Sequence, residues 1–218
     1  MNLREPELSE ALSPRRLEGA VCQALAEDGD LAEMEFHGGM LECLRGTRLE
    51  FSRCRFENIR FSPCEIGQWF FTDCVFSHCD FSNFLLENAC FSRARLEDCR
   101  LLGASLDHCV LRHVLFSDCS MSYLALGQCK LQWVEFQDCE MRRLALTAVT
   151  FKDVAFSRCD LTQCEITNTS LKGLDLRSCS LSGMAVVPEC LRGAVVTPLQ
   201  AVELAGLLGL IIRPEDAK

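Results

Sequence analysis

Residues 74–98 read CVFSH CDFSN FLLEN ACFSR ARLED, five pentads whose third residue is always Phe or Leu. The phase holds far outside this stretch. From Leu31 to Val196 every fifth residue is Leu, Phe, Ile, Met or Val, with Gly46 the one miss in 34 positions. A helix repeats its faces every ~3.6 residues and a strand every two, so neither keeps a period of five in phase over this distance. A chain made of small identical structural steps does, and this one is therefore a repeat architecture.

Each pentad has a second inward position two residues before its centre, usually filled by a small or medium side chain: Cys54, Cys64, Cys74, Cys79, Ala89, Ala94, Cys99, Ala104 and Cys109, for example. The other positions are mostly Ser, Arg, Asp, Glu, Gln or Gly. Two inward side chains separated by one outward residue describe a very short strand, and the polar remainder describes a turn. The chain bends after each pentad and winds into a coil. Cys79, Cys99, Cys119, Cys139, Cys159 and Cys179 recur every 20 residues, whereas a step of 15 from Cys79 runs through Ala94, Cys109 and Leu124. Four pentads thus close one turn, and the cross-section is square. Residues 31–196 supply about eight coils. Stacked at an inter-strand spacing of ~4.8 Å, they make a rod about 40 Å long. Twelve of the 14 Phe residues lie at pentad centres, so rings are expected to stack in columns, Phe116, Phe136 and Phe156 among them.

A solenoid has to cover its terminal edges. Residues 1–30 are read as an N-terminal capping segment, with Ser13 as N-cap, Pro14 at the first helical position, Leu17, Val21 and Leu25 on one face, and Gly29 as a stop. Residues 197–218 are read as a C-terminal cap: Thr197-Pro198-Leu199-Gln200 fits a capping box and Gly209 closes the helix. The segment Leu207-Leu208-Gly209-Leu210-Ile211-Ile212, followed by Pro214, is more apolar than a lone cap requires.

The bulk numbers bound the function. The chain has 218 residues, 49% of them hydrophobic, a formal charge of −9 and no apolar run long enough to span a membrane. Its start, MNLREPELSEALSPRR, lacks the apolar stretch of a secretory signal. The 16 cysteines therefore read as reduced thiols of a cytoplasmic protein rather than a disulfide framework. Net negative charge argues against direct nucleic-acid binding and is compatible with a basic protein partner. Inward cysteines spaced 20 apart, with no C-x-x-C and no histidine pair at ligand spacing, behave as small hydrophobes, so no metal or cofactor is expected. Cys22, Cys43, Cys90 and Cys190 fall off the inward positions and are the candidate reactive thiols. His37, His78, His108 and His113 all fall on outward positions, and no nucleophile elbow or phosphate-binding loop occurs, so no enzyme is expected.

The A/C-x-L/F-x-x pattern, as in CRFEN (54–58), CDFSN (79–83), ARLED (94–98) and CDLTQ (159–163), resembles the pentapeptide-repeat family. That resemblance covers about three quarters of the chain and implies a right-handed quadrilateral parallel β-helix, here flanked by N- and C-terminal capping helices. The C-terminal layout is similar to that of the Qnr-type quinolone-resistance proteins, the mycobacterial fluoroquinolone-resistance protein and the immunity proteins against microcin B17 and albicidin. The likeness implies a type II topoisomerase, chiefly DNA gyrase, or topoisomerase IV, as partner. It also implies a homodimer joined end to end by the C-terminal helix and strand, with Leu207, Leu208, Leu210, Ile211 and Ile212 as the joint. A cap on a monomer is the alternative. Two features depart from the Qnr pattern: residues 51–196 carry no loop insertion, and the chain has an N-terminal helix of its own.

Sorting outward residues by side gives the candidate partner surface. The side centred on Phe56, Phe76, Leu96, Phe116, Phe136, Phe156 and Leu176 carries Glu57, Glu97, Asp98, Asp118, Glu135, Asp138 and Asp175, opposed by Arg55, Arg95, Arg158 and Arg177. The neighbouring side collects Arg53, Arg93, Arg112, Lys130, Lys152 and Lys172. An acidic stripe of this kind can imitate a nucleic-acid backbone, although one Asp per ~4.8 Å is sparser than the charge per ~1.7 Å of duplex DNA. The competing reading is that outward positions simply have to be polar. A scaffold with an unrelated protein partner, or immunity to a peptide toxin, are the other functions this surface fits.

Overall fold

The computed structural model describes residues 2–27 and 29–213, and in it the pentads wind into a right-handed quadrilateral parallel β-helix of about nine turns. Every described ladder within the repeat joins residues 20 apart, as in Phe71↔Phe91, Phe91↔Leu111, Leu111↔Leu131 and Leu131↔Phe151. The turn beyond the expected eight comes from the N-terminus, where a two-residue strand β1 (Ser13–Pro14) pairs with Met34 and Glu35 ahead of the first coil.

Two adjacent sides of the square share single eight-residue strands, for example Val110–Ser117 and Lys130–Gln137, within a ten-stranded sheet. The side centred on Leu126 forms a four-stranded sheet, and the side centred on Leu101 is held mainly by single bridges such as Arg100↔Ser120. Most corners are made in one way. The residue two after the centre takes a left-handed conformation, with φ of +50° to +60° at positions as varied as Arg93, Asp98, His113, Tyr123 and Trp133. A non-glycine residue in that region carries strain, least for Asn and Asp. Here the cost is offset by the parallel ladder on either side of every corner.

The core is a set of columns. Phe116, Phe136 and Phe156 stack at 5.0 and 4.9 Å between centroids with planes 9° apart, and Phe51, Phe71 and Phe91 form a second column. The cysteine column lies inside, each thiol donating to a carbonyl 23 residues earlier, as Cys99 does to Phe76 and Cys119 to Leu96. Burial pushes the thiols of Cys54 and Cys164 up to about 11 and about 12, so they stay neutral.

Several details depart from the sequence reading. Ser13 and Pro14 do not start the N-terminal helix; α1 (Leu17–Glu27) begins four residues later, because the coil edge at Met34–Glu35 offers these residues ladder hydrogen bonds. Leu17, Val21 and Ala24 are buried under α1, and Leu25 sits over Gly46, where an added Cβ would lie 2.7 Å from its side chain. The one missing centre is therefore filled from the cap. The corners at Arg48 and Gln68 are not left-handed, and the strand runs extended through both in Arg45–Ser52 and Glu65–Ser77. This extended run holds Trp69, 1% exposed, in a column that carries Leu49, Ala89, Cys109, Cys129 and Val149 on other coils. Cys190, read as an outward thiol, is buried: the inward place before Leu191 belongs to Glu189, a carboxylate, so the chain turns at 188–193 and puts Cys190 in instead.

At the other end Thr197 caps α2 (Pro198–Ala205), with Gln200 N–H donating to the Thr197 hydroxyl and Thr197 N–H to the Gln200 side chain. A 3-10 turn, Gly206–Leu208, prolongs the helix, and Gly209 ends it at φ +72°. Leu210–Ile212, where a strand was expected, are in no strand. Pro214 lies outside the described residues.

Candidate partner surface

The ladder register settles how the acidic residues are arranged. Asp98, Asp118 and Asp138 stand on successive coils at the same corner, with φ of +52°, +54° and +53°. Glu57 and Glu97 share a column two coils apart, Glu135 follows Arg95 in another, and Asp175 lies near the C-terminal end. The stripe is real as geometry.

Its charge is more compensated than the sequence suggests. Arg158 holds Asp138 in a two-bond pair (Nε to Oδ1 2.6 Å), which draws the Asp138 carboxyl below its ordinary value. Arg177 does the same to Asp175, whose pKa falls to about 2. Glu97 meets Arg95 at 3.1 Å and Glu57 meets His37 at 2.9 Å. Glu135 accepts only from the Gln137 amide, at 2.7 Å, and Asp98 has His78 at 3.9 Å. Asp118 makes no ion pair among the described residues. Among the described residues, the carboxylates of this side without a guanidinium partner are thus Glu57, which has His37, and Asp98, Asp118 and Glu135 at mid-height. The left-handed corner also gives Asp98, Asp118 and Asp138 a backbone reason to be aspartate. On the adjacent basic side Arg53 pairs with Glu33 and Arg93 with Asp73, while Lys152 lies over the Trp133 ring.

The C-terminal residues are brought together but not covered: Leu208, Leu210, Ile211 and Ile212 are more than half exposed and Leu207 is 37% exposed. Among the described residues no cluster of three or more His, Cys, Asp or Glu side chains is arranged to hold a metal, and no helix is long and apolar enough to cross a membrane.

One element of this surface escaped the sequence reading. Residues 2–12 lie along the outside of the rod, where Glu5 bonds to Arg95, and Arg4 and Glu7 donate to His113 and Asp73. Leu3, Pro6, Leu8 and Leu12 are spaced irregularly and give no periodic signal.

Family models agree with the register. The pentapeptide repeat region model matches residues 89–163, and the model of pentapeptide repeats in eight copies matches 71–104 and 145–183. The chain is a pentapeptide-repeat protein. No curated protein sequence matches it. Among solved structures, this pentapeptide-repeat protein is similar to trypsin-treated QnrB1, a plasmid-mediated fluoroquinolone resistance protein, at 19% identity and a TM-score of 0.38, over 85% of this chain and 100% of that one. It is also similar to HetL, a pentapeptide repeat protein involved in heterocyst differentiation regulation from Nostoc sp. strain PCC 7120, at 13% identity and a TM-score of 0.32, over 83% of this chain and 94% of that one.

Proposed function

We propose that this pentapeptide-repeat protein is a non-enzymatic binding protein of the cytoplasm that seats its acidic side in the DNA-binding saddle of a type II topoisomerase, DNA gyrase or topoisomerase IV, and so modifies the enzyme's response to poisons such as quinolones. One observation carries the reading: Asp98, Asp118 and Glu135 stand free of guanidinium partners at mid-height on the rod, where a basic groove would meet them first. Such charges steer association more than they add affinity. A second copy, docked through Leu207, Leu208, Leu210, Ile211 and Ile212, would double the length of the stripe.

The test is gyrase supercoiling with and without ciprofloxacin, using the unaltered chain and the triple variant Asp98→Asn, Asp118→Asn, Glu135→Gln. Asparagine keeps the left-handed corners while removing charge. Inhibition by the unaltered chain that is lost in the variant supports the reading. Inhibition of equal strength in both removes the acidic side from the mechanism, and rescue from the drug makes the protein protective.

A specific observation favours a scaffold as the second reading. Glu97, Asp138 and Asp175 are bonded to guanidinium neighbours on the rod itself and Glu57 to His37, so most of the stripe stabilises its own surface. No effect on supercoiling by a folded rod would favour it.

A further inference from the structure

The N-terminal arm, residues 2–12, crosses the coils rather than pairing with them. Arg4 N–H donates to His113 Nδ1 at 3.3 Å and Glu7 N–H to Asp73 Oδ1 at 3.1 Å. The two acceptors are two coils apart, ~9.6 Å along the rod, and the three residues from Arg4 to Glu7 span ~10 Å when extended. The arm therefore runs parallel to the rod axis, reading one corner residue on every second coil. Between these bonds Glu5 meets the Arg95 guanidinium, and Glu5 and Pro6 line a groove with Arg55, Glu57, Val75, Ser77, His78 and Glu97.

The two acceptors that hold the arm on either side of this groove are built with more order than a chance contact needs. Asp73 is 6% exposed and held by Arg93 through Nε and Nη2, both at 2.6 Å. His113 stacks on Trp133 at 4.6 Å with planes 6° apart, and the Lys152 ammonium lies 4.9 Å from the same indole. Both acceptors are thus fixed before any ligand arrives. The arm nevertheless leaves the site incompletely used: Arg95 Nε is buried without a partner. A buried donor left unsatisfied is costly. A ligand bringing a carboxylate in the two-oxygen geometry would satisfy it.

We propose that this groove, with the acceptors on either side of it, is a binding site for an extended peptide segment of a partner protein that carries one carboxylate beside an apolar residue, with the protein's own N-terminal arm as a tethered competitor. The ligand class follows from the groove. Arg95 takes a carboxylate, the surface beside Val75 takes a proline or other apolar residue next to it, and Asp73 and His113 take main-chain N–H groups three residues apart. Tethering gives the arm an effective concentration of order mM, so a free segment has to outcompete it or arrive when it is released. The inference is independent of any topoisomerase.

The probe is a labelled synthetic peptide of residues 2–12, NLREPELSEAL, followed by fluorescence anisotropy. It should bind the full-length variant Glu5→Lys, Leu8→Asp, whose arm is repelled from the groove, at least tenfold more tightly than the unaltered chain. Adding Arg95→Ala to that variant should reverse the gain. Equal binding to both chains, or none to the released variant, overturns the proposal. On the unaltered chain, an excess of unlabelled peptide should speed hydrogen exchange at the Arg4 and Glu7 amides and shift the emission of Trp133. Unchanged exchange at saturating peptide means that the arm is a permanent strap and also overturns it.

Discussion

The two ends of the rod face the same problem and meet it differently. At the N-terminal end β1 covers the open ladder edge, and α1 lays Leu17, Val21 and Ala24 into the mouth of the first coil. Leu25 even supplies the side chain that Gly46 lacks. At the C-terminal end α2 is fastened by polar groups: Gln200 Nε2 donates to Leu176 O at 2.9 Å and to Cys179 O at 2.7 Å. On and beyond it, apolar side chains face water, Leu199 at 71% and Ile211 at 82% exposure. One end is finished by its own chain; the other is fixed in place and left uncovered. In a solenoid, where stability passes only between neighbouring coils, a cap is as important as the repeat it covers.

The largest expected effect breaks the finished end. Val21→Asp places an unpaired charge where the side chain is 0% exposed, and the loss should exceed about 4 kcal/mol, read as a collapse of the urea midpoint. Gln200→Leu at the other end should cost about 2–3 kcal/mol by orphaning the Leu176 and Cys179 carbonyls and opening the capping box. A mild effect there would mean that α2 is held by something other than these bonds. Leu208→Ser with Ile211→Ser should leave the chain's unfolding midpoint within about 0.5 kcal/mol, because neither side chain is buried. If a second copy covers this end, the same pair should halve the mass seen by light scattering. An unchanged mass means that the apolar surface serves something else.

The smallest effect concerns the arm at the N-terminal side. Burial, then Arg4 and Arg93, hold the His113 pKa below its ordinary value; Trp133 stacks against its ring, with Lys152 beyond. Neutral Nδ1 can accept from Arg4, and imidazolium cannot. The contribution is full above the unfolded value of about 6.5 and is lost as pH falls through the lowered one. Trp133 emission should titrate in that acidic window, and His113→Asn should flatten the curve.

The period of five was enough to read a coil, and the recurrence of Cys79 to Cys179 every 20 residues was enough to make it square. The capping box was equally plain, its chemistry being local to Thr197 and Gln200. What was not legible depended on distant partners. Ser13 and Pro14 have helix-start chemistry but pair with an edge that the first coil creates. The acidic stripe was visible as a column, yet the guanidiniums that neutralise Asp138 and Asp175 are a matter of rotamer and register. The docked arm gave no sign, since its partners Asp73, Arg95 and His113 meet only once three coils are stacked.

The register of 20 has a consequence for how such a chain can change. Adding or deleting one pentad leaves the apolar period intact, so the interior tolerates it. Everything downstream, however, rotates by a quarter turn relative to the N-terminal cap. Asp118 and Asp138 would then line up over a different side than Asp98, and any recognition surface crossing the join would be scrambled. Lengthening by whole coils of four pentads preserves every column and simply moves the two ends apart.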